Sequence, residues 1–364
     1  EVATPPPPWE HFFMSESGAS RKAKRTSTAQ DWSALPEQEL LQVRLKDLHL
    51  TMKGTWLERC LDALHAELAK KNINVRPHAW LSDEWFSPDN TPGIAFPFYL
   101  AHPRLLRLER KNFLEAEGGT KRECMQILRH EAGHVVQHSF NLHRRRKWRQ
   151  VFGSSSQKYP SYYRPDPSSR NYVQHLRRWY AQSHPDEDFA ETFAVWLTPR
   201  SSWRKHYAGW PALEKLRYVD ELMEEIAGQK PLLTKRLEVD PISKASRTLG
   251  EHYARKHAQV AVETHAAFDK SLHRIFSTEE RRGDEPAATF LRRNRAAIMK
   301  LAESWAGEYQ VALESVLDEM INRCRVLKLR AHGSESQLRV KITSLITKQA
   351  VRAHSDGARR WYAV

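Results

Sequence analysis

The sequence predicts an α+β fold that is predominantly helical, with one small sheet that has an edge strand and a helical C-terminal region. Three textures carry this expectation. Leu57, Leu61, Leu64 and Leu68 recur at helical spacing. Between Asn74 and Glu109, short apolar runs alternate with turn chemistry. Beyond Pro231 the pattern is helical almost throughout. The chain has 364 residues, 40% of them hydrophobic, enough for a sizeable core and more than one ordinary domain needs.

Residues 1–30 hold a four-proline run followed by a polar, basic stretch, MSESGASRKAKRTSTAQ, which has nothing to bury and reads as a flexible lead-in. Two helices are expected next, one from Leu40 and one carrying the leucine stripe, with Gly54 between them. NVRPHAWL and GIAFPFYL flank SPDNTPG and read as two strands. Pro97 demotes the second to a sheet edge, and the edge at 94–100 is a candidate for holding an extended peptide. Residues 120–230 carry the chemistry, so a core spans 31–230 and a helical region 231–364. Within the latter, Ile298, Leu301, Trp305, Tyr309, Leu313, Val316, Met320, Cys324 and Leu327 predict one long helix ending near Gly333.

Cys60, Cys124 and Cys324 are odd in number and far apart, which excludes a disulfide framework and a CxxC zinc ribbon. No run of 18 apolar residues exists, and EVATPPPPWE lacks the basic-then-apolar order of a signal peptide. The expectation is a soluble cytoplasmic protein. The net charge of +14 is concentrated. Residues 141–180 hold ten Lys or Arg against the single acid Asp166, including the run Arg144 to Arg149. Such a run is a solvated face or the cationic rim of a cleft that favours anionic substrates.

ILRHEAGHVVQH contains His130, Glu131 and His134 as HExxH. On a helix, residues i and i+4 share a face, so both imidazoles reach one metal and Glu131 can address a water beside it. A catalytic zinc needs a third protein ligand. Phe140 stands where a metzincin would have its third His, and His138 is the nearest alternative. Further on, SHPDEDFAETFAVWLTP reads as a helix started by Ser183 and Pro185 and stopped by Pro199, with Glu187 and Glu191 four apart on one face. His184 is expected to cap or pack.

HExxH paired with a later ExxxE helix resembles the gluzincin metallopeptidases. That resemblance implies a zincin-like core in which Glu187 is the third ligand of Zn2+ and Glu191 supports a ligand His. EDFAE also resembles the EFFAE segment of anthrax lethal factor, whose catalytic Tyr lies seven residues before the ligand Glu; the position here is Tyr180, with Tyr172 and Tyr163 as substitutes. The stretch from Trp56 to Gly228, including GTWLERC, HAWLSDEWFSPD, LRHEAGH and WYAQSHPDEDFAETFAVW, is similar to a bacterial family of zinc-binding metallopeptidases. The implied activity is hydrolysis of peptide or amide bonds by a zinc-activated water, with Glu131 as general base and Tyr180 as oxyanion donor. Two other classes compete with it. One is a basic nucleic-acid-binding protein with a structural metal, suggested by RKAKR at 21–25 and RRRKWR at 144–149; no helix-turn-helix or RNP-like segment supports it. The other is an inactive zincin-like scaffold.

Overall fold

The computed structural model describes residues 32–113, 116–160, 162–263, 269–279, 281, 283–306, 310–355 and 362–363. The expected lead-in, with RKAKR, lies outside them.

The region around Leu40 forms no full helix: α1 (Glu37–Leu40) is a single turn, and Leu45–Leu48 is a 3-10 turn. The leucine stripe does form α2 (Trp56–Lys70). Thr55 caps it by accepting from the Leu57 N–H at 3.2 Å, and Leu57, Leu64 and Leu68 are buried. β1 (His78–Ser82) and β2 (Gly93–Pro97) pair in parallel, from His78 opposite Gly93 to Ser82 opposite Pro97.

The structure corrects the reading of 94–100 as an open peptide edge. Every residue of β2 is buried, and the Ala95 N–H donates to the Phe86 carbonyl at 2.9 Å, which closes the side of β2 away from β1. Residues Phe98–Ala101 then leave the strand as a 3-10 turn. GIAFPFYL is apolar without alternation, and such a run belongs to a strand covered on both faces.

α3 (Pro103–Phe113) leads to α4 (Lys121–Ser139), which Thr120 caps by accepting from the Glu123 N–H. A short α5 (Arg146–Phe152) and the two-residue β3 (Tyr162–Tyr163) precede α6 (Pro185–Leu197). His184, and not Ser183, is the N-cap of α6. Pro185 occupies its first turn with Asp186, Glu187 and Asp188, acids that suit the positive end of the helix. Every residue from Asp186 to Leu197 is buried, so α6 is the central helix of the molecule. α8 (Ala212–Ile226) covers it, and α7 (Trp203–His206) packs on α8.

α4 and α6 make the most extensive helix contact in the fold, and they touch at Gly133. A Cβ placed on Gly133 would stand 2.7 Å from the Ala190 Cα and 3.1 Å from its carbonyl oxygen. The hydrophobic core built around this pair runs from Leu40 to Tyr253 in α9 (Leu249–Glu263).

A second cluster joins α10 (Asp269–His273), α11 (Ala287–Arg293), α12 (Arg295–Ala306), α13 (Gln310–Val326) and α14 (Glu335–Ser355) around Phe290, Ile298, Leu317, Met320 and Ile342. β4 (Glu285–Pro286) and β5 (Arg330–Ala331) pair beside it, and β6 (Tyr362–Ala363) lies beyond it in sequence. The Arg325 guanidinium ties this cluster to the larger core, donating to the Asn112 carbonyl at 3.3 Å and lying over Phe113. The single long helix expected here is described over 295–306 and 310–326; residues 307–309 lie outside the described residues, and the helical run stops at Val326, short of Gly333.

On an open helix, Gly→Ala stabilises by about 1 kcal/mol. At Gly133 the added methyl meets backbone, so Gly133→Ala is expected instead to cost about 1–3 kcal/mol. Urea unfolding measures it, and a gain in stability would refute the close packing of α4 on α6.

Candidate metal centre

The crossing sets the site by symmetry of placement. His130 and His134 stand three residues before and one after Gly133; Glu187 and Glu191 stand in the same relation to Ala190. Two helices touching at Gly133 and Ala190 therefore face these four side chains toward each other. The His130 and His134 Nε2 atoms are 3.2 Å apart, and the Glu187 Oε2 lies 3.0 Å from the first and 3.2 Å from the second. All three residues are within reach of one metal ion.

Hydrogen bonds behind these atoms define their state. The His130 Nδ1 lies 2.8 Å from Glu191 Oε1, and the other Glu191 oxygen accepts from the Leu176 N–H at 2.8 Å. A proton on Nδ1, donated to Glu191, turns the Nε2 lone pair toward His134 and Glu187. With both Nε2 atoms unprotonated, three acceptors converge on one point, an arrangement that a cation between them satisfies. Their spacing is close to the roughly 3.3 Å that separates donors around a tetrahedral zinc with bonds of about 2.0–2.1 Å, so the donor set fits that ion.

Glu187 uses its second oxygen on a residue that the sequence reading missed: the Tyr159 hydroxyl donates to Oε1 at 2.9 Å. The Tyr159 ring stacks on His184 with centroids 3.8 Å apart. His184 in turn accepts from the Asp186 N–H through Nδ1 and donates to the Gln157 carbonyl through Nε2. His184 therefore both caps and packs, as expected. Beside it, Asp186 accepts from Gln137 of α4 at 2.7 Å and from Ser155 at 2.9 Å.

Burial would lower the basicity of both imidazoles, but the carboxylates facing them outweigh it: Glu187 and Glu191 raise the His130 pKa well above its ordinary value, and Glu187 raises that of His134. Burial pushes Glu187 in the opposite sense and is likewise overcome by the two rings, which hold its carboxyl well below the usual range. Asp188, on the other side of α6, is pushed up to about 7 by burial despite Lys215 at 2.6 Å.

Glu131 is buried, and its Oε2 has no hydrogen-bond partner among the described residues. Tyr180 stands over the same place, its ring centroid 5.7 Å from that of His130. Burial, then the charges of Glu187 and Glu131, keep its hydroxyl protonated. Tyr180 is aimed there by two consecutive non-glycine residues in the left-handed region, Arg178 at φ 63° and Trp179 at φ 53°. Such conformations cost on the order of 1–3 kcal/mol each and persist only where the surroundings impose them.

The substitutes for Tyr180 are engaged elsewhere. The Tyr163 hydroxyl donates to the Arg178 carbonyl at 2.8 Å and so braces the kink; Tyr172 packs under the Lys215 ammonium. His138 bonds to Asp89 at 3.1 Å and is not in the metal group. In the basic run, Arg145 and Lys147 pair with Glu225 and Glu221 of α8 at 2.6 and 2.7 Å.

These helices and donors define a mostly helical α+β protein with a His, His, Glu group able to hold a metal ion. Residues 107–226, from α3 to the end of α8, match the model of a family described as "Putative zinc-binding metallo-peptidase". No curated protein and no solved structure matches the chain.

Glu191→Ala frees the His130 ring and is expected to weaken zinc binding by about 10–100-fold, with Tyr159→Phe near the lower figure. Competition against a chromogenic chelator gives both affinities. Unchanged affinity in both variants would remove these residues from the support of the metal.

Proposed function

We propose that the chain is a zinc-dependent hydrolase of peptide or amide bonds, with His130, His134 and Glu187 as the metal ligands. The observation that carries this reading is the buried carboxylate oxygen of Glu131, without a partner among the described residues, on a side chain whose charge acts on His134 and Tyr180. A lone acceptor in such a place costs free energy unless it has a partner in use. Zinc would supply Lewis acidity and bring the pKa of a water from near 16 to about 7.

The remaining roles belong to this chain's own residues. Glu131 takes the proton of the attacking water and passes it to the leaving amine. Tyr180, held protonated, donates to the carbonyl oxygen as charge develops there, a contribution of about 3 kcal/mol. Glu191 orients His130 and Tyr159 orients Glu187. The substrate is a peptide or a peptide-like amide. A preference for acidic side chains or free carboxylates is the finer form of the proposal. Its carriers are the cations between the two metal-binding helices, and it predicts faster cleavage of acidic peptides that fades as salt rises.

Three unpaired, buried cysteines fit a reducing compartment, and we place the protein in the cytoplasm. Among the described residues no helix is long and apolar enough to cross a membrane.

Glu131→Gln is expected to lower kcat/KM by about 10²–10⁴-fold while zinc content is retained, and Tyr180→Phe by about 10²-fold. Turnover of a mixed peptide library, read by mass, together with metal analysis, makes the test. A chain that binds no zinc, or whose hydrolysis survives Glu131→Gln intact, is not this enzyme.

A further inference from the structure

The segment between α5 and α6 meets the metal centre at two nearby points. The Tyr159 hydroxyl holds Glu187, and the Tyr163 ring lies against Tyr180 with centroids 6.2 Å apart. Between these contacts runs β3. It pairs antiparallel with β6 from the far end of the sequence, Tyr162 opposite Ala363 and Tyr163 opposite Tyr362. Neighbouring strands lie about 4.8 Å apart, so the backbone of β6 passes one strand spacing from the residue that contacts Tyr180. β2, the edge suggested by the sequence, has both sides taken.

We propose that β3 is a peptide-binding edge beside the metal centre, and that residues 362–363 occupy it in cis as a built-in, displaceable strand standing in for an extended peptide. This rests on the reading of the metal centre as a peptidase. Main-chain pairing to a free edge takes any extended peptide, with selectivity left to the side chains. A ladder of two residues is too short to be stable alone, so an incoming peptide offering the same pairing can replace β6. The tethered strand nevertheless competes at an effective concentration on the order of millimolar. Weakly binding peptides are held off, and only those with further contacts beside the metal centre enter.

The test uses the full chain, zinc-loaded and carrying Glu131→Gln so that no peptide is consumed. The probe is a fluorescein-labelled hexapeptide of residues 359–364, Arg-Arg-Trp-Tyr-Ala-Val, and binding is read by anisotropy. Ala363→Pro breaks the ladder, because proline has no N–H to offer. It is expected to bind the probe about tenfold more tightly than the parent, the sign of a tethered competitor removed. Tyr162→Cys with Ala363→Cys places two thiols on register partners, and the three natural cysteines are buried. Because Cys60 and Cys124 lie in contact, the oxidised parent is the control; against it, oxidation should cross-link the engineered pair and shut the probe out, and reductant should readmit it.

Equal affinity in all forms, no binding to the Ala363→Pro chain, or failure of the pair to cross-link overturns the proposal. Glu131-dependent hydrolysis by the unsubstituted chain is scored separately. Its absence with the binding pattern intact removes the peptidase and leaves the docking edge; its presence without the pattern does the reverse.

Discussion

The contact between Gly133 and Ala190 governs the rest of the molecule. Helices with ordinary side chains at the crossing keep their axes 8–10 Å apart, and side chains one turn away then meet at their tips only if they are long. With no side chain on Gly133, the backbone of α6 at Ala190 comes within reach of α4. Four side chains placed alike about that point then converge to hydrogen-bond distances. The contact also commits α6 to complete burial, with Asp186, Glu187, Asp188 and Glu191 inside the protein. Each must then be neutralised or bonded, since an ionised group taken from water without a partner is very costly.

The polar architecture follows from that cost. Asp186 is met by Gln137 and Ser155, Asp188 by Lys215, Glu191 by His130 and the Leu176 N–H, and Glu187 by both imidazoles and Tyr159. α6 is held on all sides by bonds that reach α4, α8 and the segment before it. Removing one partner of such a buried pair leaves its mate stranded, which is more damaging than never having had the pair. The network fixes His130, His134 and Glu187, with Glu191 behind His130, the preorganisation that a metal site requires.

The helices that bear the site were legible in the sequence because helical spacing and chemistry coincide there: His130 and His134 are four apart, as are Glu187 and Glu191, and Pro185 and Pro199 bracket the second pair. Their meeting was not legible from spacing alone and entered through resemblance. Tyr159 left no signal, since it lies in an irregular segment where position along the chain says nothing about direction in space. His184 was legible as a residue that caps or packs, and its ring nitrogen caps α6 by accepting from the Asp186 N–H. The peptide edge at 94–100 was misread because Pro97 signals a missing ladder hydrogen bond but not what covers the strand; Phe86, folding back along β2, does so. The segment at Leu40 had helical spacing over too few residues to pay the cost of nucleation, and it closes as single turns.

The two halves of the site are built from different material. The metal donors and Glu131 stand on α4 and α6, regular helices packed into the core, where a shift of one side chain disturbs many neighbours. Tyr159, Tyr163 and Tyr180 come from the irregular stretch between α5 and α6, held by single hydrogen bonds, two left-handed residues and a two-residue ladder. Chemistry demands fixed distances, and the helices supply them. Backbone held as in the irregular stretch opens at small cost. The same irregular stretch bears Arg164, Arg170, Arg177 and Arg178, among the cations that set the charge of the chain apart. A change at the Gly133–Ala190 contact would move all four side chains together, whereas a change in 153–184 acts on them singly, through Tyr159 on Glu187 or the Leu176 N–H on Glu191.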